Sequence, residues 1–141
     1  MKEEERVCVR RARNGNGLFT RRDATSRETI LEIKGELILV SELGKKDQKT
    51  IDNSIRYSKE YYISPSGEMA DYLNHSCRPN AYIKNEGEKI FLIADGEIKR
   101  GSEVLIDYST IIAEDDDWTM KCNCGESKCR KIVGKFIDLS E

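Results

Sequence analysis

Seven consecutive residues, Asn74-His75-Ser76-Cys77-Arg78-Pro79-Asn80, bring amide, imidazole, hydroxyl and thiol groups together beside Tyr72, Leu73, Ala81 and Ile83. Such polar groups must find hydrogen bonds if buried, and Pro79 stiffens the chain as it leaves, so polarity next to apolar positions marks a candidate site. Further along, Asp107-Tyr108 supplies a phenol beside a carboxylate. Cys122-Asn-Cys124-Gly-Glu-Ser-Lys-Cys129 then sets three soft thiolates on one short loop, with Gly125 able to take the tight backbone. A structural zinc ion wants a fourth ligand, and Cys77, His75 and Cys8 are the soft candidates outside that loop. A bond to Cys77 would clamp the tail over the polar heptapeptide. Cys8 sits in an alternating strand pattern, where a small buried thiol is the commoner fate. Zinc in such a site contributes on the order of 10 kcal/mol to its loop, so metal removal should disorder the tail first.

The elements that must position these groups read mostly as short strands. With 141 residues, 38% hydrophobic and 35% charged, the chain is one domain of ordinary size, able to bury about two thirds of its unfolded surface. Residues 7–13 alternate apolar and basic side chains, and Asn14-Gly15-Asn16-Gly17 signals a turn before Leu18. Residues 29–33 and 36–40 bracket Lys34-Gly35, which predicts a hairpin or bulge. Ile51 and Ile55, four apart in a polar stretch, weakly signal a short helix. Residues 57–63 look extended until Ser64-Pro65-Ser66-Gly67, and residues 68–73 suit one helical turn. A second hairpin is predicted around Asn85-Glu86-Gly87-Glu88, and residues 104–107 read as another strand. The expected class is mainly β, with a cysteine-bearing tail from about Trp118.

Charge and cysteine usage exclude several functions. The start, Met1-Lys2-Glu3-Glu4-Glu5-Arg6, lacks the apolar stretch of a signal peptide, and no apolar run is long enough for a membrane span. Five cysteines crowded toward one end do not form a secreted disulfide framework, which points to a reducing intracellular compartment, cytoplasm or nucleus. A formal net charge of −2 and the lack of an aromatic-interleaved basic stripe disfavour direct nucleic-acid binding. Basic residues 6–22 and 128–135 and the acidic run 114–117 read chiefly as solvated surface, although the acidic run could steer a basic peptide.

Taken together, these residues resemble the SET-domain protein-lysine methyltransferases that carry a post-SET motif, over almost the whole chain. Gly15-Asn16-Gly17-Leu18-Phe19 looks like the family's N-terminal G-x-G segment, and the heptapeptide matches N-H-S-C-x-P-N at every fixed position. Residues 98–108 resemble the stretch ending in the catalytic tyrosine, and residues 122–130 the zinc-binding post-SET segment. The resemblance implies a SET fold of several small β-sheets with a C-terminal pseudoknot at residues 5–110, and a zinc-bound tail at residues 118–134. It implies S-adenosylmethionine on one face and a protein lysine on the other, joined by a narrow channel. Gly15, Asn16, Gly17, Leu18, Asn74, His75 and Tyr108 would serve the cofactor, Cys77 would join Cys122, Cys124 and Cys129 on structural zinc, and Tyr62, Tyr72, Ile106 and Trp118 would line the channel.

Methyl transfer to lysine needs a neutral amine, which at pH 7 costs roughly 4 to 5 kcal/mol for a side chain of pKa near 10.4. An apolar channel and the cofactor's sulfonium charge both lower that pKa. Tyr108, a phenol of pKa near ~10, then has a positioning and electrostatic role, with water taking the proton. The chain also departs from the family pattern. Ile106 stands where many members have Phe or Tyr, which does not favour a single-methylation limit; Asp71 stands where Arg is common, and Lys131 replaces a frequent glycine. No cysteine-rich pre-SET region is seen, and the substrate-groove segment between Ser41 and Tyr62 is short. Besides the methyltransferase, the sequence admits a catalytically idle SET module that binds protein and, more weakly, a small zinc module binding nucleic acid.

Overall fold

The computed structural model describes residues 3–65, 68–113 and 115–135. Ser66 and Gly67 of the expected turn, and Glu114 of the acidic run, lie outside the described residues. A short helix, α1 (Glu3–Arg6), leads into β1 (Val7–Ala12), which pairs antiparallel with β2 (Gly15–Thr20) from Val7 opposite Thr20 to Ala12 opposite Gly15. The turn is therefore Arg13-Asn14 alone, and Gly15 to Gly17, expected in it, belong to the ladder. Gly17 leaves room there for the Glu103 carboxylate and the Ala12 side chain, both of which would have to shift to admit a Cβ.

The hairpin expected around Lys34-Gly35 is not formed. β3 (Thr29–Ile33) and β4 (Glu36–Leu39) enter different sheets, and any Cβ on Gly35 between them would strike the Ser64 carbonyl. After a 3-10 turn at Val40–Lys45 comes α2 (Gln48–Asn53), capped by Asp47, whose carboxylate accepts the Thr50 N–H at 3.0 Å. Next come β5 (Ile55–Arg56), β6 (Tyr61–Ser64), a 3-10 turn at Met69–Tyr72, and β7 (Asn74–His75) within the heptapeptide. β8 (Ala81–Glu86) and β9 (Lys89–Ala94) form the expected hairpin, with Gly87 at φ 64 in the turn. β10 (Leu105–Ile106), β11 (Met120–Lys121) and β12 (Ile132–Val133) are the last strands among the described residues.

Among the described residues the fold is mainly β, in small sheets ordered β1-β2, β3-β9-β8, β4-β6-β5, β10-β7 and β11-β12. Leu18, Ile90, Leu92, Ile98 and Val104 fill the core between them, each fully buried and each worth about 1.5–3 kcal/mol of apolar burial. Where β7 and β10 run parallel, Ser76 donates to the Ile106 carbonyl at 2.9 Å and Asn80 to the Leu105 carbonyl at 3.1 Å. The Asn80 amide acts as one more rung, giving to the Glu103 carbonyl and taking the Leu105 N–H, both at 2.9 Å. No helix among the described residues is long and apolar enough to cross a membrane.

Candidate active site and thiolate cluster

Tyr108 leaves β10 at the start of a 3-10 turn (Tyr108–Ile111), which Asp107 caps by accepting the Ser109 N–H at 3.0 Å. Its hydroxyl donates to the Leu73 carbonyl, and its ring lies between His75 and Trp118, with centroids 5.3 and 6.2 Å away. Burial, reinforced by the carboxylates of Glu103, Asp52 and Asp71, pushes the phenol well above its ordinary pKa. Tyr108 therefore stays protonated, able to donate and orient but not to act as a base.

His75 is 6% exposed, and its Nδ1 accepts the Tyr108 N–H at 2.9 Å. That bond assigns the proton to Nε2, which faces the Cys77 sulfur at 3.4 Å. Burial holds the imidazole below its usual pKa, with Asp107 opposing and Arg130 assisting, so it is neutral at pH 7. Asn74 donates to the Asn16 carbonyl and to Glu103 Oε2, both at 2.9 Å, tying the heptapeptide to β2. Among the described residues no buried side-chain N or O lacks a partner, so the polar segment is fully satisfied.

The cavities around Tyr108 differ in size and wall. A cleft of about 550 Å³ runs from Asn14, Asn74 and His75 past Tyr108 and Trp118 to Cys122, Asn123 and Cys124. A narrow slot of about 40 Å³ is walled mostly by Leu43, Ile51, Tyr62, Ile111, Ile112 and Trp118, with Ser54 and Asp116 as further polar members. A small inner cavity of about 20 Å³ is bounded by Asp71, Leu73 and Ile106. Tyr108 and Asp52 line all of these.

The Sγ atoms of Cys77, Cys122, Cys124 and Cys129 all lie within 4.8 Å of one another, a group that could hold a metal ion. Burial pushes the Cys77 and Cys122 thiols up, Cys122 to about 12. Against burial, the backbone N–H groups of Cys77 and Glu126 bring Cys124 down to about 6. Backbone N–H groups of Arg130 and Lys131 reach the sulfurs of Cys77 and Cys129 at 3.4 Å. Arg130 also grips Asp107 through paired bonds of 2.7 and 2.6 Å, which joins the cysteine loop to the residue before Tyr108. Asp107 is accordingly held below its ordinary pKa: burial opposes the shift, and the Arg130 and Ser109 hydrogen bonds outweigh it.

Of the residues singled out in the sequence, Tyr108, His75, Asn74, Tyr62, Trp118 and the four clustered cysteines converge here, and Ile106 lines the inner cavity. Gly15, Asn16 and Gly17 form the strand beneath Asn74, while Asn14 is the residue of that segment facing the cleft. Leu18 is buried in the core, and Tyr72, 37% exposed, lines none of these cavities. Within the acidic run Asp116 is buried and accepts from Tyr62, Arg56 and the Ala113 N–H, while Asp115 and Asp117 are exposed, the former paired with Arg56. Sequence reading missed Asp52 and the lock in which Arg13 and Asn14 grip Asn123 at 2.8 to 3.1 Å, because single polar residues brought together over such separations carry no local pattern.

A family model described as the SET domain matches residues 15–109. The chain is 34% identical over 93% of its length to histone-lysine N-methyltransferase trr of Drosophila melanogaster, of which the match covers 6%. It is 33% identical over 88% of its length to human histone-lysine N-methyltransferase 2B, covering 5% of that protein. An H3 lysine-36 specific histone-lysine N-methyltransferase of Candida albicans is 28% identical over 85% of the chain, which spans 15% of that protein.

Proposed function

The chain belongs to the SET-domain family, and on that premise we propose that it methylates the side-chain amine of lysine in a protein substrate, using S-adenosylmethionine. The observation that carries this reading is Tyr108 at the meeting of a large polar cleft and a narrow apolar slot. In the proposal the cleft takes the cofactor, with Asn74 and His75 along its floor and Gly15, Asn16, Gly17 and Leu18 forming the supporting strand. The slot takes lysine between Tyr62 and Trp118, with Ile106 at the inner end and exposed Tyr72 outside it. The SET unit is assigned to residues 5–110 and the post-SET segment to residues 118–134.

S-adenosylmethionine would supply a methyl group on a positively charged sulfur. The chain's own residues orient and desolvate. Apolar walls disfavour ammonium and so ease loss of its proton to water. The Tyr108 hydroxyl, anchored on Leu73 and unable to ionise, fixes the geometry at the junction.

Zinc is the proposed occupant of the thiolate cluster. With Zn–S bonds of about 2.3 Å, a tetrahedron sets its sulfurs about 3.8 Å apart. Cys77 and Cys122 are separated by 3.8 Å, so the donor set fits. The ion would cross-link the heptapeptide to the tail. The names of the relatives support a basic, histone-like substrate and an intracellular location.

Incubation with labelled S-adenosylmethionine and a histone mixture, read by mass spectrometry, should show methylated lysine. Tyr108→Phe should slow it by about 100-fold or more, the scale of a lost transition-state donor. Equal rates would overturn the role given to Tyr108. Failure of the cofactor to bind at millimolar concentration in calorimetry would overturn the enzymatic reading, and binding without transfer would favour the idle module.

A further inference from the structure

We propose that Asp52 receives the charged end of the substrate lysine where the cavities meet, making it a specificity-determining residue for the reaction proposed above; the inference rests on that reading. With Tyr108, Asp52 is common to the slot, the cleft and the inner cavity. It projects from α2, and its Oδ1 accepts from Gln48 Nε2 at 2.9 Å and from Trp118 Nε1 at 3.0 Å. Both donors are neutral. They fix the carboxylate's direction without cancelling its charge, and the bond from Trp118 ties that direction to docking of the tail.

The neighbouring charges are already engaged. Asp116, in the slot wall, is held by Tyr62 and Arg56. Asp71 accepts from Asn53 at 2.8 Å and has Lys49 at 4.0 Å. Glu103 lies against Gly17 and accepts from Asn74. His75, across the cleft, holds the Tyr108 N–H. Asp52 is thus the carboxylate that reaches the junction with hydrogen bonds only from neutral side chains.

A lysine suits this arrangement in two parts. Its methylene stem matches Leu43, Ile51, Ile111 and Ile112, while its ammonium must keep an anionic or hydrated partner as it enters an apolar slot. Asp52 supplies that partner on arrival, and again after transfer, when the nitrogen carries a methyl group and a positive charge. Pairing also favours the protonated amine, so Asp52 promotes capture while holding the bound amine's pKa higher than the slot alone would.

Asp52→Asn separates these effects, because its amide oxygen can still accept from Gln48 and Trp118. Asp52 is exposed, so with a histone-tail peptide bearing one lysine KM should rise by up to about fivefold, the upper scale of an exposed ion pair. The rising limb of kcat against pH should move to lower pH, since the bound amine then loses its proton more readily. Binding of the same peptide with norleucine in place of lysine should be the same for both proteins, and Asp52→Glu should restore part of the lysine preference. Unchanged KM and an unchanged pH profile, in an Asp52→Asn protein that methylates lysine as the parent does, would overturn the proposal alone. A parent that methylates no lysine would overturn it together with the functional reading.

Discussion

Two regions meet at the site and are held by different means. The seam between residues 74–80 and 104–108 is stitched by backbone pairing, the Asn80 side-chain rung and complete burial of Val104 and Ile106. The tail, residues 118–134, has a sheet of two short strands with Val133 buried, and is otherwise held by separate attachments that include the clustered thiols, Arg13 and Asn14 on Asn123, Arg130 on Asp107, the Ser109 hydroxyl on the Gly134 carbonyl, and Trp118 on Asp52. The seam is held by strand pairing reinforced at consecutive residues, whereas the tail is secured at separated points. Loss of one point should release the tail and leave the seam intact. Tyr108 belongs to the seam, and the tail supplies the Trp118 to Cys124 wall of the cleft.

The largest expected effect comes from the metal. Chelation should remove on the order of 10 kcal/mol from the tail, and Cys77→Ser should act in the same direction. Hydrogen exchange read by mass spectrometry should then show loss of protection across residues 118–134, with residues 74–76 and 104–107 still protected. Equal loss in both regions would break the distinction. A metal assay finding no zinc in the purified protein, or the same zinc content in Cys77→Ser, would remove the clamp.

Next in size is the Arg130–Asp107 pair. Arg130→Met leaves a carboxylate with an 11% exposed side chain facing only the Ser109 N–H and a neutral imidazole, at a cost of about 2–3 kcal/mol in urea unfolding. Asp107 titrates lower in the folded protein than in the unfolded chain, where its pKa is about 3.9. Its contribution is therefore present above that value and is lost as pH falls through the lower, folded one. The gap between parent and variant should hold from about pH 7 to 5 and close only below about pH 4. A gap that already closes near neutral pH would mean that some other group carries the attachment.

The sequence made the seam more legible than the contacts across it. Asn74-His75-Ser76-Cys77, Asp107-Tyr108 and the tail cysteines announce their chemistry through residue type and spacing, and the β8–β9 hairpin through alternation around Gly87. Partner choice was not legible. β3 and β4 look like a hairpin because they are adjacent, yet β3 is claimed by β9 and β4 by β6, a competition settled by burial far along the chain. Of the acidic run, Asp115 and Asp117 are exposed as their charge suggests, while Arg56 and Tyr62 bring Asp116 inside, a pairing over some sixty residues that no local pattern signals. Asp52 was invisible because its significance lies in where α2 docks.

Lys131 gives the smallest effect and the finest test of the tail. The family resemblance implied a glycine at this position, and the backbone is one that glycine suits: Lys131 sits at φ 72, in the left-handed region that costs a side-chain-bearing residue about 1–2 kcal/mol. The turn is imposed from both sides, since the Lys131 carbonyl accepts the Cys122 N–H at 2.7 Å while its own N–H reaches the Cys129 sulfur at 3.4 Å. Lys131→Gly should relieve the strain but add roughly 0.5–1 kcal/mol of backbone entropy to the unfolded chain. The net gain is about half a kcal/mol, confined to the tail. It should appear as about a twofold slowing of zinc release to a chelator, with exchange in residues 104–107 unaltered. Faster release would show that the strain at Lys131 is smaller than the entropy a glycine adds, and that the tail's weakness lies in its few attachments rather than in this turn.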